Sequence, residues 1–141
     1  MPAIDEFQIQ RAFVTWYAGV KHPKGHPLAG QWKIIPARLP GVVSWHTPNG
    51  GKREGFEAKR FKELGVVPGI PDYFMLWGGL YGIEFKDDDG RMSKAQGGME
   101  IEMRSAGIVD WLTTNSVRAA VQFVVRHGLV RPDAVIPPFA C

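Results

Sequence analysis

Cysteine is almost missing from this chain: the one copy, Cys141, is the last residue of the sequence. A lone thiol closes no internal disulfide and supplies no thiolate set for zinc, so the simplest setting is a reducing, cytoplasmic one. Long apolar runs are missing too. None approaches the roughly 20 residues that cross a bilayer, and no membrane partner is expected. The first residues carry Asp5 and Glu6 instead of a basic stretch followed by an apolar one, so no secretory signal is read there. Strong charge of either sign is also absent. The 17 Lys and Arg set against 14 Asp and Glu leave +3, which permits a polyanionic partner without demanding one. No internal repeat divides the 141 residues, and 45% apolar composition suffices for a single domain over 1–141.

What is present is helix and strand periodicity punctuated by glycine and proline. Ile9, Ala12, Phe13, Trp16 and Val20 repeat at helical spacing and predict a helix over 4–20. Residues 21–41 are crowded with Pro and Gly and read as a long irregular loop. Val42 to His46 reads as a short strand, followed by the turn Thr47-Pro48-Asn49-Gly50-Gly51. Further along, the pattern predicts a helix over 53–64 closed by Gly65, then a hairpin over 72–76 and 80–86. A helix from Ser93 to about 105, a strand over 108–113 and a helix over 116–127 complete the series. The Pro-rich tail, 128–141, is either a packed arm or a frayed end. This order predicts an α/β fold with a mixed β-sheet flanked by α-helices.

The chemistry concentrates on the predicted hairpin. Side chains two apart on a strand share a face, so Glu84 and Lys86 project together while Phe85 points away. Asp72, next to Pro71, opens the partner strand. Hairpin register decides whether the two acids meet. A two-residue turn at Gly78-Gly79 sets Asp72 opposite Phe85. A three-residue turn at Trp77-Gly78-Gly79 sets it opposite Glu84, with Gly79 free to be left-handed, and this second register is expected. Two carboxylates then converge to hold Mg²⁺ or Mn²⁺, with the Phe85 carbonyl as a neutral oxygen ligand. Lys86 beside them would orient water and offset charge growing on a phosphate. A cross-strand ion pair on an ordinary surface strand is the competing reading of the same residues.

Other candidates are secondary. Glu6 shares one flank of the first helix with Gln10, and Asp5 sits near the other flank; either acid also suits a helix's first turn. Gln96 completes the capping-box pattern Ser93-Lys94-Ala95-Gln96 and could serve that cap instead of the site. Asn49 and its two glycines expose N–H groups ahead of a helix, a seat for a phosphate, with Lys52 and Arg53 following; an ordinary turn is an equal reading. Lys52, Arg53, Lys59, Arg60 and Lys62 together suit a solvated helix face. His22 and His26 have no partner at metal spacing, and Asp87-Asp88-Asp89-Gly90 lacks the alternating ligands of a calcium loop.

Taken in order, the segments His46 to Arg53, Gly65 to Asp72, Ile83 to Lys86 and Gly90 to Gln96 resemble the VRR-NUC family of the PD-(D/E)xK nuclease superfamily. Glu6 and Gln10 match that family's Glu and Gln four apart in the first helix, and the resemblance spans about residues 4–127. It implies a restriction-endonuclease-like core. Asp72 and Glu84 would be metal ligands, Lys86 the catalytic lysine, Glu6 a further acid near the metal, and Gln96 a support for the site. Asn49, Lys52, Arg53 and Arg91 would touch DNA, and the metal would be Mg²⁺ or Mn²⁺. The implied activity is metal-dependent endonucleolytic hydrolysis of DNA, leaving a 5′-phosphate and a 3′-hydroxyl. Small members of the family resemble phage-encoded homodimers acting on branched DNA such as Holliday junctions, which places the chain in the host cytoplasm if it is phage-encoded. The alternative is a nucleic-acid-binding module with an inactive nuclease site. A small-molecule phosphohydrolase is disfavoured, because no Gly-rich nucleotide loop precedes a helix.

Overall fold

The computed structural model describes residues 5–48, 55–87 and 94–138. Along the chain run α1 (Glu6–Ala18), β1 (Val20–Lys21), β2 (Trp32–Ile34), β3 (Val43–His46) and α2 (Gly55–Glu63). They are followed by β4 (Tyr73–Leu76), β5 (Leu80–Phe85), α3 (Lys94–Ala106), β6 (Asp110–Thr114) and α4 (Val117–Arg126). The main sheet has the order β3-β4-β5-β6. Its first two pairings are antiparallel and β5–β6 is parallel, so the sheet is mixed.

Helix α1 starts where a capping box allows it. The Asp5 carboxylate accepts from Gln8 N–H at 2.8 Å, and the Gln8 side chain accepts from Asp5 N–H at 3.2 Å. Asp5 is thereby committed to the cap, and Glu6 is the acid left to look elsewhere. The buried stripe of α1 is Ile9, Phe13 and Tyr17, four apart. It differs from the sequence expectation: Tyr17 joins the stripe, Ala12 and Trp16 are only half-buried, and Val20 has left the helix for β1. The Tyr17 hydroxyl can be buried because it donates to the Leu129 carbonyl at 3.0 Å.

The core lies between one face of the sheet and the pair α1/α4. Tyr73, Met75, Ile83 and Phe85 come from the sheet, and Ala120, Val121, Phe123 and Val124 from α4. Phe13 is at its centre, fully buried, with ring centroids 5.3 Å from Tyr17, 5.7 Å from Phe85 and 5.9 Å from Tyr73. At the far edge, Asp110 ties β6 to two helices. Its carboxylate accepts from Arg104 at 3.3 Å and from His127 at 2.9 Å.

Residues 21–41 are largely the irregular segment expected, with one departure. β1 and β2 pair as an antiparallel two-stranded sheet, with Pro23, Gly25, Pro27 and Gly30 in its tip and Pro36, Pro40 and Gly41 beyond it. The strand formers Val20, Trp32 and Ile34 decided the outcome, and composition averaged over the whole segment hid them. The tail is a packed arm through residue 138: Trp16 Nε1–H donates to the Val135 carbonyl at 2.8 Å, and Val130 bridges to Arg38. Among the described residues no helix is long and apolar enough to cross a membrane.

Truncating Phe13→Ala removes the ring on which Tyr17, Tyr73 and Phe85 converge. It should lower unfolding stability by about 3–5 kcal/mol, read from the urea midpoint. A loss under about 1 kcal/mol would mean the core does not rest on this contact.

Candidate active site

The β4–β5 connection is the three-residue turn expected from the sequence. Tyr73 pairs with Ile83 and Leu76 with Leu80. One step beyond the last pair, Asp72 stands across from Glu84. The left-handed residue is Gly78 (φ 63°), one position earlier than expected. Gly79 is needed for a different reason: a Cβ there would lie 2.5 Å from Val109 Cγ2.

Asp72 is held at both ends. Its carbonyl accepts from Thr47 N–H at 2.7 Å, and His46 Nδ1 lies 2.9 Å away. A carbonyl can only accept, so this contact is a hydrogen bond in the tautomer that carries its proton on Nδ1. The Gln10 amide, 2.8 Å from the same Nδ1, must then turn its oxygen toward the ring. At the other end, Asp72 Oδ2 accepts from Phe85 N–H at 2.9 Å, which draws the carboxylate onto β5 beside Glu84. Phe85 thus meets the site through its backbone, while its ring is buried under α1. His46 and Gln10 were not recognised in the sequence as a clamp on Asp72. In the sequence Gln10 reads as the family-like partner of Glu6 and His46 as the start of a family-like segment, and neither signal points to a clamp.

Glu84 is 3% exposed. Its Oε1 lies 4.0 Å from Lys86 Nζ, and its Oε2 is buried with no hydrogen-bond partner among the described residues. Burial pushes its carboxyl well above the ordinary value, the facing Asp72 carboxyl pushes the same way, and Lys86 opposes them. Glu6 approaches from the start of α1. Its carboxyl is also raised, first by burial and then by Asp72, with Lys86 again opposing. Glu6 therefore sits in the field of the pair. Among the described residues, however, no three His, Cys, Asp or Glu side chains stand close enough to hold a metal together. Gln96 is buried in the first turn of α3 and directed into the protein. Its proposed cap residue Ser93 lies outside the described residues, as do Asn49, Lys52, Arg53 and Arg91.

Two oxygen acceptors face each other here, one of them buried without a donor. Such an arrangement is relieved by a proton or by a hard cation. The donor set, oxygen only, fits Mg²⁺ or Mn²⁺, and two carboxylates suffice for an ion that keeps several waters.

A carboxyl raised in the folded state binds its proton more tightly than the unfolded chain does. Stability should therefore fall as pH rises above the ordinary 4.5 toward the raised value. Glu84→Gln, uncharged and able to donate to Asp72, should be more stable than the parent at pH about 8 in chelator, by on the order of 1–3 kcal/mol. The gap should close near pH about 4, where Glu84 is protonated in both states. Urea midpoints that coincide at both pH values would show that the carboxyl is not held up.

No family model matches the chain, and no curated protein matches it. A solved structure described as a "VRR_NUC domain protein" superposes with a TM-score of 0.58 at 18% identity, over 96% of this chain and 100% of that one. At that identity the likeness concerns the fold. The chain has an α/β fold with a mixed sheet flanked by helices, as in a restriction-endonuclease-like core.

Proposed function

We propose that this chain is a VRR-NUC-type nuclease, a single domain over 1–141 that hydrolyses DNA phosphodiester bonds with Mg²⁺ or Mn²⁺. Branched DNA such as a Holliday junction is the proposed substrate and a homodimer the proposed working unit. One observation carries the reading: Glu84, buried beside Asp72, has one carboxyl oxygen without a donor among the described residues and Lys86 Nζ 4.0 Å from the other. Asp72 and Glu84 would hold the ion, with the Phe85 carbonyl and Glu6 as further oxygen sources. When bound, the ion supplies a more acidic water and neutralises charge on the scissile phosphate.

The chain's own groups do the rest. Lys86 Nζ stands beside the pair, where it can donate to a phosphate oxygen as negative charge builds. His46 and Thr47 hold the Asp72 backbone so that its carboxylate stays on β5. Gln96 would steady the site from α3, and Asn49, Lys52, Arg53 and Arg91 would grip flanking phosphates. The water oxygen bonds to phosphorus as the P–O3′ bond breaks. The 3′ oxygen takes a proton, and the products are a 5′-phosphate and a 3′-hydroxyl. A nucleic-acid-binding module with an inactive site is the second reading. It is favoured by the lack of a third metal-ligating side chain among the described residues.

Labelled four-way junction, flap and matched duplex, each with Mg²⁺, Mn²⁺ or chelator, separate the two. The nuclease reading expects metal-dependent cutting, fastest on the junction, with Glu84→Ala and Lys86→Ala each losing about 10²–10³-fold in kcat while DNA binding is kept. Binding without cutting in every metal would establish the module instead.

His46→Ala releases one donor from Asp72. It should raise the Mg²⁺ concentration for half-maximal cutting by about tenfold, with kcat at saturating metal little changed. An unchanged metal requirement would remove His46 from the site's support.

A further inference from the structure

Between Glu6 and Glu54 the sequence contains no Asp or Glu, yet Arg11, Lys21, Lys24, Lys33 and Arg38 all fall there. The net charge of +3 conceals this segregation. Much of that acid-free stretch is the β1–β2 hairpin, to which the proposed chemistry gives no role. Its three lysines are exposed, and among the described residues none has an ion-pair partner. Lys21 Nζ sits 4.9 Å over the Trp32 ring, itself 44% exposed. Three ammonium groups on one hairpin without ion pairs among the described residues, one of them over an open indole, form a surface suited to phosphates and stacked bases.

The hairpin is also rigid. In its tip His22 N–H donates to Gln31 O at 2.9 Å, Gly30 N–H to His22 O at 3.1 Å, and Leu28 N–H to His26 Nδ1 at 3.0 Å. The rings of His22 and His26 stack at 4.4 Å. Its root is fixed at Gly19 (φ 77°), where a Cβ would lie 2.6 Å from Ile34 O. Helix α1 then sets its distance from the acids. Glu6 is at one end of the 13-residue helix and the hairpin root at the other, about 20 Å apart at 1.5 Å per residue. Arg11, exposed and without a partner among the described residues, lies between them. It lines one groove with Phe7, Gln10 and His46 and another with Thr15 and Ile34.

We infer that the β1–β2 hairpin is a nucleic-acid-binding wing that grips a DNA arm about six base pairs from the Asp72/Glu84 pair, with the arm lying along α1 past Arg11. The position of the grip rests on the nuclease reading above; the grip itself does not.

Binding should be measured without metal, on junctions with arms of about four and about twelve base pairs, across a salt series. With the long arm, Lys24→Glu/Lys33→Glu should weaken binding on the order of tenfold and reduce the slope of log K against log salt by about 2. Lys24→Arg/Lys33→Arg should restore both, and on the short arm parent and variant should bind alike. If the glutamate variant fails to melt like the parent, Lys24→Gln/Lys33→Gln takes its place. Equal affinity and slope on the long arm would overturn the wing. So would hairpin-dependent binding to phosphatidylserine vesicles with none to DNA. If the long-arm loss appears but the parent cuts nothing in any metal, the wing stands and the nuclease reading falls.

Discussion

The hydrogen bond from Phe85 N–H to the Asp72 carboxylate is the contact on which the site depends. It exists because a three-residue turn sets β4 and β5 in one register. A slip of one residue would exchange the faces of the strand and send Glu84 into the aromatic core. The turn in turn depends on Gly78 adopting a positive φ and on Gly79 leaving room for Val109. One backbone donor thus couples the local stereochemistry of two glycines to the meeting of two acids.

Support for that meeting comes from opposite directions. Beneath β5, the Phe13 ring packs on Phe85, Tyr17 and Tyr73 and holds the strand from the side away from the acids. From the β3 side, Thr47 N–H and His46 Nδ1 fix the Asp72 carbonyl. Burying Glu84 with an unmatched oxygen is unfavourable, and a strand held so firmly can sustain it. This is the usual distribution of stress in a functional site, where an unsatisfied group persists because its surroundings over-determine its place.

Much of the architecture was legible in the residues. Helix α1 was signalled by its stripe, α4 by Ser116 and its apolar positions, and the β4–β5 register by the letters of the turn. Asp72, Glu84 and Lys86 come together because strand periodicity and register are local rules. The parts that escaped are those that local rules cannot reach. Tyr17 is core because Leu129, more than a hundred residues later, offers its hydroxyl an acceptor. His46 matters because α1 and β3 happen to converge on Asp72. The β1–β2 hairpin was hidden by the Pro and Gly of its own tip, since short strands contribute few letters against a long connecting turn.

Helix α1 finds its partners late. Its Tyr17 hydrogen-bonds Leu129 and its Trp16 reaches Val135, so both contacts span most of the chain. During synthesis α1 leaves the ribosome ahead of the strands it packs on, and its stripe is not fully covered until α4 and the arm follow. Glu6 is held near Asp72 by a helix that is fully seated only then. A nascent chain that already carries every acid of the site therefore still lacks part of the packing that seats the first of them.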